Sequence, residues 1–213
     1  MFDVGALAQF ATAYPAQPAV LAHSANEHPL FSLPRLTILA GSLPRRCVEL
    51  RSADTGAEEK DPTPPALLVQ ALSARDDVMS LREIGHDEEY AQWLSETVRP
   101  FVPFLRGVTG ANVSVDGEIV LCSPDVATQW PSEGEGRIWM QCRGQSTAAL
   151  GTRTFELGEG EAIFAPKGED LTVTAGNQLG IAVVLSWPDD EAEGAPGHGS
   201  LLSLLWRKIK SKR

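Results

Sequence analysis

The chain has 213 residues, 43% hydrophobic and 22% charged, an ordinary globular composition, long enough for one substantial core or one core plus a small appendage, with a single domain as the default. Its net charge is −10, but Arg207, Lys208, Lys210, Lys212 and Arg213 place five positive charges in the last seven residues, so removing them leaves −15 on the rest. So acidic a body argues against general nucleic-acid binding through its main surface. Cys47, Cys122 and Cys142 are too few and too apolar in setting for a disulfide frame and read as core thiols. With no run of about 18 apolar residues and no charged-then-apolar leader, neither membrane spanning nor export is expected, and the cytoplasm is the expected compartment.

In chain order, Pro18 to Leu21 reads as a short strand. A helix opens at Ser32, a residue type suited to an N-cap, with Pro34 tolerated in the first turn and Leu33, Leu36, Leu39 and Ala40 on one face. Leu43-Pro44 ends it, and Cys47 to Leu50 is extended. Ser52 to Pro65 is acidic and rich in Gly and Pro, a surface loop within one fold. Ala66 to Ser73 forms a short helix after Pro65, and Val78 to Ile84 alternates like a strand. Asp87 caps the next helix, Glu88 and Glu89 suit its first turn, and Tyr90, Trp93, Leu94 and Val98 form a core stripe closed by Pro100 and Pro103.

From Ala111 the pattern changes to short extended runs: Val113 to Val115, Glu118 to Cys122, Ile138 to Cys142, Thr147 to Leu150, Arg153 to Leu157, Ala162 to Ala165, Leu171 to Ala175 and Ile181 to Trp187. Turn signals at Asp116-Gly117, Arg143-Gly144, Gly158-Glu159-Gly160 and Gly176-Asn177 separate them. About eight strands at this spacing suit a double-stranded β-helix, the cupin jelly roll. An immunoglobulin-like sandwich leaves the helical N-terminal half unexplained. The expected class is α+β, mainly β, with an N-terminal α/β region over 1–110 and a barrel over 111–187. An acidic linker over 188–199 and a basic amphipathic helix over 200–213 follow.

The stretch Ser123-Pro124-Asp125-Val126-Ala127-Thr128-Gln129-Trp130-Pro131-Ser132-Glu133-Gly134-Glu135, followed by Arg137-Ile138-Trp139-Met140-Gln141-Cys142-Arg143-Gly144, resembles the core of the JmjC-like cupins, relatives of the Fe(II)- and 2-oxoglutarate-dependent oxygenases. The resemblance extends over roughly residues 8 to 187. In that family a Ser-Pro-x-x-x-Thr segment leads into His-x-Asp, and a strand of the form apolar-apolar-Gln-apolar-basic-Gly follows. Laid on that pattern, Pro131 occupies the place of the first metal histidine and Glu133 that of the aspartate. Leu171 or Asp170 stands where the third ligand belongs, and Ser146 where a lysine holds the co-substrate carboxylate. Only Thr128 is retained from the co-substrate pocket. Non-haem iron needs two imidazoles and a carboxylate on one face. Proline and leucine offer no donor, and the histidines are His23, His28, His86 and His198, so none lies between Asp87 and Gly197. The resemblance therefore implies the barrel without catalytic iron, and no cofactor is expected.

The residues left to line a vestigial pocket are Thr128, Trp130, Glu133, Arg137, Trp139 and Arg143. Trp130 is placed to contact a sugar or aromatic ligand, whereas Trp139 more naturally points into the barrel core. Arg137 and Arg143 suit an anion. Glu133 and Glu135 lie beside Asp125 as turn carboxylates, and His23 and His28 read as surface or capping groups. The expected role is a non-catalytic JmjC-like cupin that binds a small ligand, regulates or scaffolds. The alternatives are metal-independent isomerase or lyase chemistry using Glu133, Asp170 or Arg143, and an inactive subunit paired with an active homologue. Residues 200–213, with Leu201, Leu202, Leu204, Leu205, Trp206 and Ile209, need something to bind: the body of the same chain, a second copy in a homodimer, a partner, or an anionic membrane surface.

Overall fold

The computed structural model describes residues 1–53, 57–58, 61–109, 115–131 and 136–187. The predicted start of the first barrel strand at Val113, the turn acids Glu133 and Glu135, the linker over 188–199 and the helix over 200–213 lie outside the described residues. Five helices are described: α1 (Val4–Ala13), α2 (Leu33–Ser42), α3 (Pro65–Ala71), α4 (Glu88–Val98) and α5 (Val102–Thr109). The described strands are β1 (Ala19–Ala22), β2 (Val48–Ser52), β3 (Asp77–Leu81), β4 (Asp116–Cys122), β5 (Ala127–Trp130), β6 (Gly136–Arg143), β7 (Ser146–Leu150), β8 (Arg153–Leu157), β9 (Glu161–Ala165), β10 (Leu171–Ala175) and β11 (Gly180–Trp187).

The strands form a seven-stranded sheet in the order β1-β9-β6-β11-β4-β3-β2 and a four-stranded sheet in the order β5-β10-β7-β8. Strands β4 to β11 are thus shared between two facing antiparallel sheets, which is the double-stranded β-helix. The larger sheet continues beyond it through β1 on one edge and β3 and β2 on the other.

One apolar core lies on each face of the larger sheet. Ile119, Leu121, Ile138, Met140, Phe164, Val183 and Leu185 join the buried faces of the helices, including Phe10, Leu36, Leu39 and Trp93. Their strand neighbours Val120, Trp139, Ile163 and Val184 meet Ala148, Leu150, Leu157, Leu171 and Val173 of the smaller sheet. Strands buried on both faces read as continuous apolar runs, as β11 does, whereas β7 and β10 alternate between buried and half-exposed because water covers their outer face.

Local signals set most helix starts. The Asp87 carboxylate accepts from the Glu89 and Tyr90 amides at the start of α4. Ser32 holds the N-cap position of α2 but makes no side-chain cap; its hydroxyl donates to the Pro29 carbonyl. Two helices escape the sequence reading. In α1, capped by Asp3, only Ala6 and Phe10 are buried, so its apolar stripe is too thin to signal. In α5, Pro103 stands in the first turn, where its missing amide costs nothing, so it starts a helix instead of closing α4. Asp116-Gly117 belongs to β4 and is not a turn: Gly117 pairs with Leu185, and a Cβ on it would come 2.7 Å from Leu94 Cδ1. No described helix is long and apolar enough to cross a membrane.

Candidate functional site in the barrel lumen

Strand β5, absent from the sequence reading, carries two of the candidate residues. Thr128 and Trp130 alternate inward with the exposed Ala127 and Gln129. Thr128 is opposite Val173 and Trp130 opposite Leu171 across the β5–β10 ladder. That register pairs Leu171 with Trp130, one residue before the exposed Pro131, so the positions which the resemblance gives to the first and third metal ligands lie at the same end of the barrel, Leu171 inside it and Pro131 facing water. Leu171 is fully buried in the lumen core. Among the described residues no group of three or more His, Cys, Asp and Glu side chains is placed to hold a metal ion.

On the facing sheet, β6 sends Arg137, Trp139 and Gln141 to the lumen side, between Ile138, Met140 and Cys142 on the helix side. Trp139 is buried and meets Trp130 edge to face, centroids 6.0 Å apart. Its indole N–H donates to Gln141 Oε1 at 3.0 Å, and the Ser146 hydroxyl donates to the same oxygen at 2.8 Å. Gln141 Nε2 donates to the Arg143 carbonyl at 2.6 Å. Where the family's lysine would bring a charge, Ser146 thus closes a neutral network tying β6 to β7. The Gln141 side chain has no remaining oxygen turned to a ligand, since two donors already share it.

The predicted pocket residues divide between the two ends of the barrel. Arg137 is buried, and its Nη1 donates to the Trp130 carbonyl at 3.0 Å, which keeps it with Trp130, Pro131 and Leu171. The Trp130 Nε1 is buried without a hydrogen-bond partner among the described residues. Arg143 lies six residues further along β6, roughly 20 Å away, with its side chain exposed. Asp170 is exposed at the Trp130 end, one residue before β10. Arg143 and Asp170 are therefore not brought together. An open groove of about 590 Å³ lies elsewhere, between α1 and β1; its lining, including Ala8, Thr12, Gln17 and Val20, has no titratable group.

No protein-family profile matches the sequence, and no curated protein matches it. Among solved structures, YcfD, a ribosomal oxygenase from Escherichia coli, aligns over 96% of this chain at 16% identity with a TM-score of 0.58. The fold is a double-stranded β-helix of the cupin type. At that identity the likeness establishes the fold alone, and the chain spans 55% of the oxygenase's length. KdgF from Halomonas sp. aligns with 35% of this chain and 69% of its own, at 19% identity and TM-score 0.33. The cupin domain of Schizosaccharomyces pombe Cnp3 aligns with 36% of this chain and 58% of its own, at 14% identity and TM-score 0.35.

Two polar features of the fold escaped the sequence reading. One stands on the β4–β3–β2 extension, where Arg82 bonds Glu49 at 2.7 Å and approaches Glu118 at 3.8 Å, while Arg51 also pairs with Glu49. Burial pushes the Glu118 carboxyl up, against a hydrogen bond from Ser80 and the charges of Arg82 and Arg51. Alternation in Val48-Glu49-Leu50-Arg51 was the available signal. The other is His23, expected at the surface or as a cap. It is buried, its Nδ1 accepts from the Ala25 amide, and its Nε2 bonds the Glu161 carbonyl, so it locks β1 to β9 as well as capping a turn. His28 caps as expected, accepting from the Leu30 amide. Cys47, Cys122 and Cys142 are free and buried. Burial raises the Cys122 thiol to about 12 and pushes Cys142 up as well, away from nucleophile chemistry.

Proposed function

We propose that the chain is a non-catalytic JmjC-like cupin, a pseudo-oxygenase whose barrel acts as a regulatory or scaffolding frame. The observation that carries this reading is the packed lumen: Leu171 and Trp139 are buried among apolar side chains, Gln141, Ser146 and Trp139 satisfy one another, and the buried Arg137 donates to the Trp130 carbonyl. Iron with 2-oxoglutarate asks instead for two imidazoles and a carboxylate around an open position. Pro131 and Leu171 supply no donor, and no histidine lies from Asp87 to Gly197 to replace them. Ligand binding, where it occurs, belongs to the Trp130 end, with Thr128, Arg137 and the unpartnered indole N–H of Trp130 nearest.

The test is metal analysis of the purified protein with Fe(II) and 2-oxoglutarate titration. Less than stoichiometric iron and no co-substrate-dependent oxygen uptake are expected; stoichiometric iron with such uptake refutes the proposal. A thermal-shift screen against sugars and organic acids separates a binding role from pure scaffolding. A ligand that shifts the melting temperature without turnover favours binding.

A further inference from the structure

The helix layer leaves one apolar surface uncovered next to an acidic one. Ile38 of α2 and Leu67 of α3 are 59% and 52% exposed. They flank the crossing where a Cβ on Gly41 would stand 3.6 Å from Ala66 Cβ, so they share one face. Arg35, one turn before Ile38, pairs with Glu89 and brings the start of α4 alongside. The water-facing side of α4 carries Glu88, Glu89, Gln92 and Glu96, and its sequence EEYAQWLSETV contains no Lys or Arg.

The sequence contains a segment of complementary make-up. At 100° per residue, Leu201, Leu202, Leu205, Trp206 and Ile209 follow the spacing i, i+1, i+4, i+5, i+8 of one helical stripe, and five basic residues occupy the last seven positions. Trp187, the last residue of β11, packs in the core on the helix side of the sheet, with Phe10 and Phe164. Trp187 is the last described residue before the acidic run 188–199. The twelve residues of 188–199 can span up to roughly 40 Å.

We infer that residues 200–213 dock in cis on the α2–α3–α4 face, the Leu/Trp/Ile stripe over Ile38 and Leu67 and the basic residues against Glu88 and Glu96. The docked segment shields apolar surface that the fold otherwise leaves in water, and its charge offsets the most acidic helix of the body. This inference is independent of what the lumen holds.

Hydrogen exchange of the full chain, read by mass spectrometry, tests it. Amides over 201–209 should exchange at least roughly tenfold more slowly than an open chain, with the protein monomeric by sedimentation. Ile38→Glu with Leu67→Glu should abolish that protection, and Glu88→Lys with Glu96→Lys should reduce it; all four sites are exposed, so an unchanged thermal melt confirms that each variant is folded. Absent protection, or protection indifferent to both pairs of substitutions, overturns the inference. It is also overturned if protection falls on dilution together with a halving of mass, which makes a second copy the occupant. Protection that arises only on phosphatidylserine–phosphatidylcholine vesicles overturns it in favour of a lipid surface.

Discussion

Replacing Gln141 with leucine tests whether the lumen network is part of the frame. Gln141 is 1% exposed, and its amide receives hydrogen bonds from Trp139 and Ser146 while donating to the Arg143 carbonyl. Leucine nearly preserves volume but leaves an indole N–H, a hydroxyl and a carbonyl without these bonds in a closed interior. Each buried group so orphaned costs about 1–3 kcal/mol, and the Ser146 hydroxyl recovers part of its share by rotating, so a total of about 4 kcal/mol is expected. For a chain of this size that lowers the melting temperature by roughly 8–16 °C. Urea unfolding read by far-UV circular dichroism and by tryptophan fluorescence measures it. Pairing Gln141→Leu with Ser146→Ala should recover about 1 kcal/mol relative to the sum of the single changes, since one orphan is removed. A Gln141→Leu protein within about 1 kcal/mol of the parent, or strict additivity in the double variant, refutes the claim that the network is closed and bearing on the fold.

Three further outcomes follow from single positions. His23 is held neutral, its pKa lowered from 6.5 to about 4 chiefly by burial, so the unfolded chain binds a proton more readily. Its contribution is fully present above pH 6.5 and is lost as pH falls toward 4, amounting to about 3 kcal/mol; unfolding at a series of pH values should show that slope, and His23→Gln should flatten it. Gly136→Ala would put a Cβ 2.7 Å from three ring atoms of Trp187, whose indole is stacked on Phe164. With no room to retreat, a loss of about 1–3 kcal/mol is expected by calorimetry. Asp87→Ala removes the acceptor for the Glu89 and Tyr90 amides and should cost about 1 kcal/mol in denaturant midpoint, with asparagine restoring most of it.

Much of the fold was legible because its signals are local. The strands β8 and β10 lie where the alternation and turn residues put them, and Asp87 caps α4 because a carboxylate before a helix has amides to accept. The misses share a physical cause. Strand β5, Ala-Thr-Gln-Trp, has only two inward residues, and its pairing with β10 is the contact that makes it a strand. α1 buries two side chains, too few to print a stripe. At the site, the loss of donor atoms at Pro131 and Leu171 is a property of the sequence. That Leu171 pairs with Trp130, next to Pro131, depends on strand register, whereas the roughly 20 Å between Arg137 and Arg143 is the rise of six residues along β6.

The sequence by itself determined which chemistry the barrel lacks side chains for, since histidine-free residues 87–197 offer no imidazole whatever their arrangement, and it determined the acidic body and the basic end. Tertiary structure alone decided what packs inside the barrel. Only the closing of two sheets on one another puts Ser146 within 2.8 Å of Gln141, turns Trp139 onto Trp130, and buries His23 between the strand edge and the Glu161 carbonyl. Each contact joins two different strands, His23 and Glu161 across 138 residues of sequence, and the energy that fixes them comes from burying both faces of the larger sheet, which no local pattern encodes.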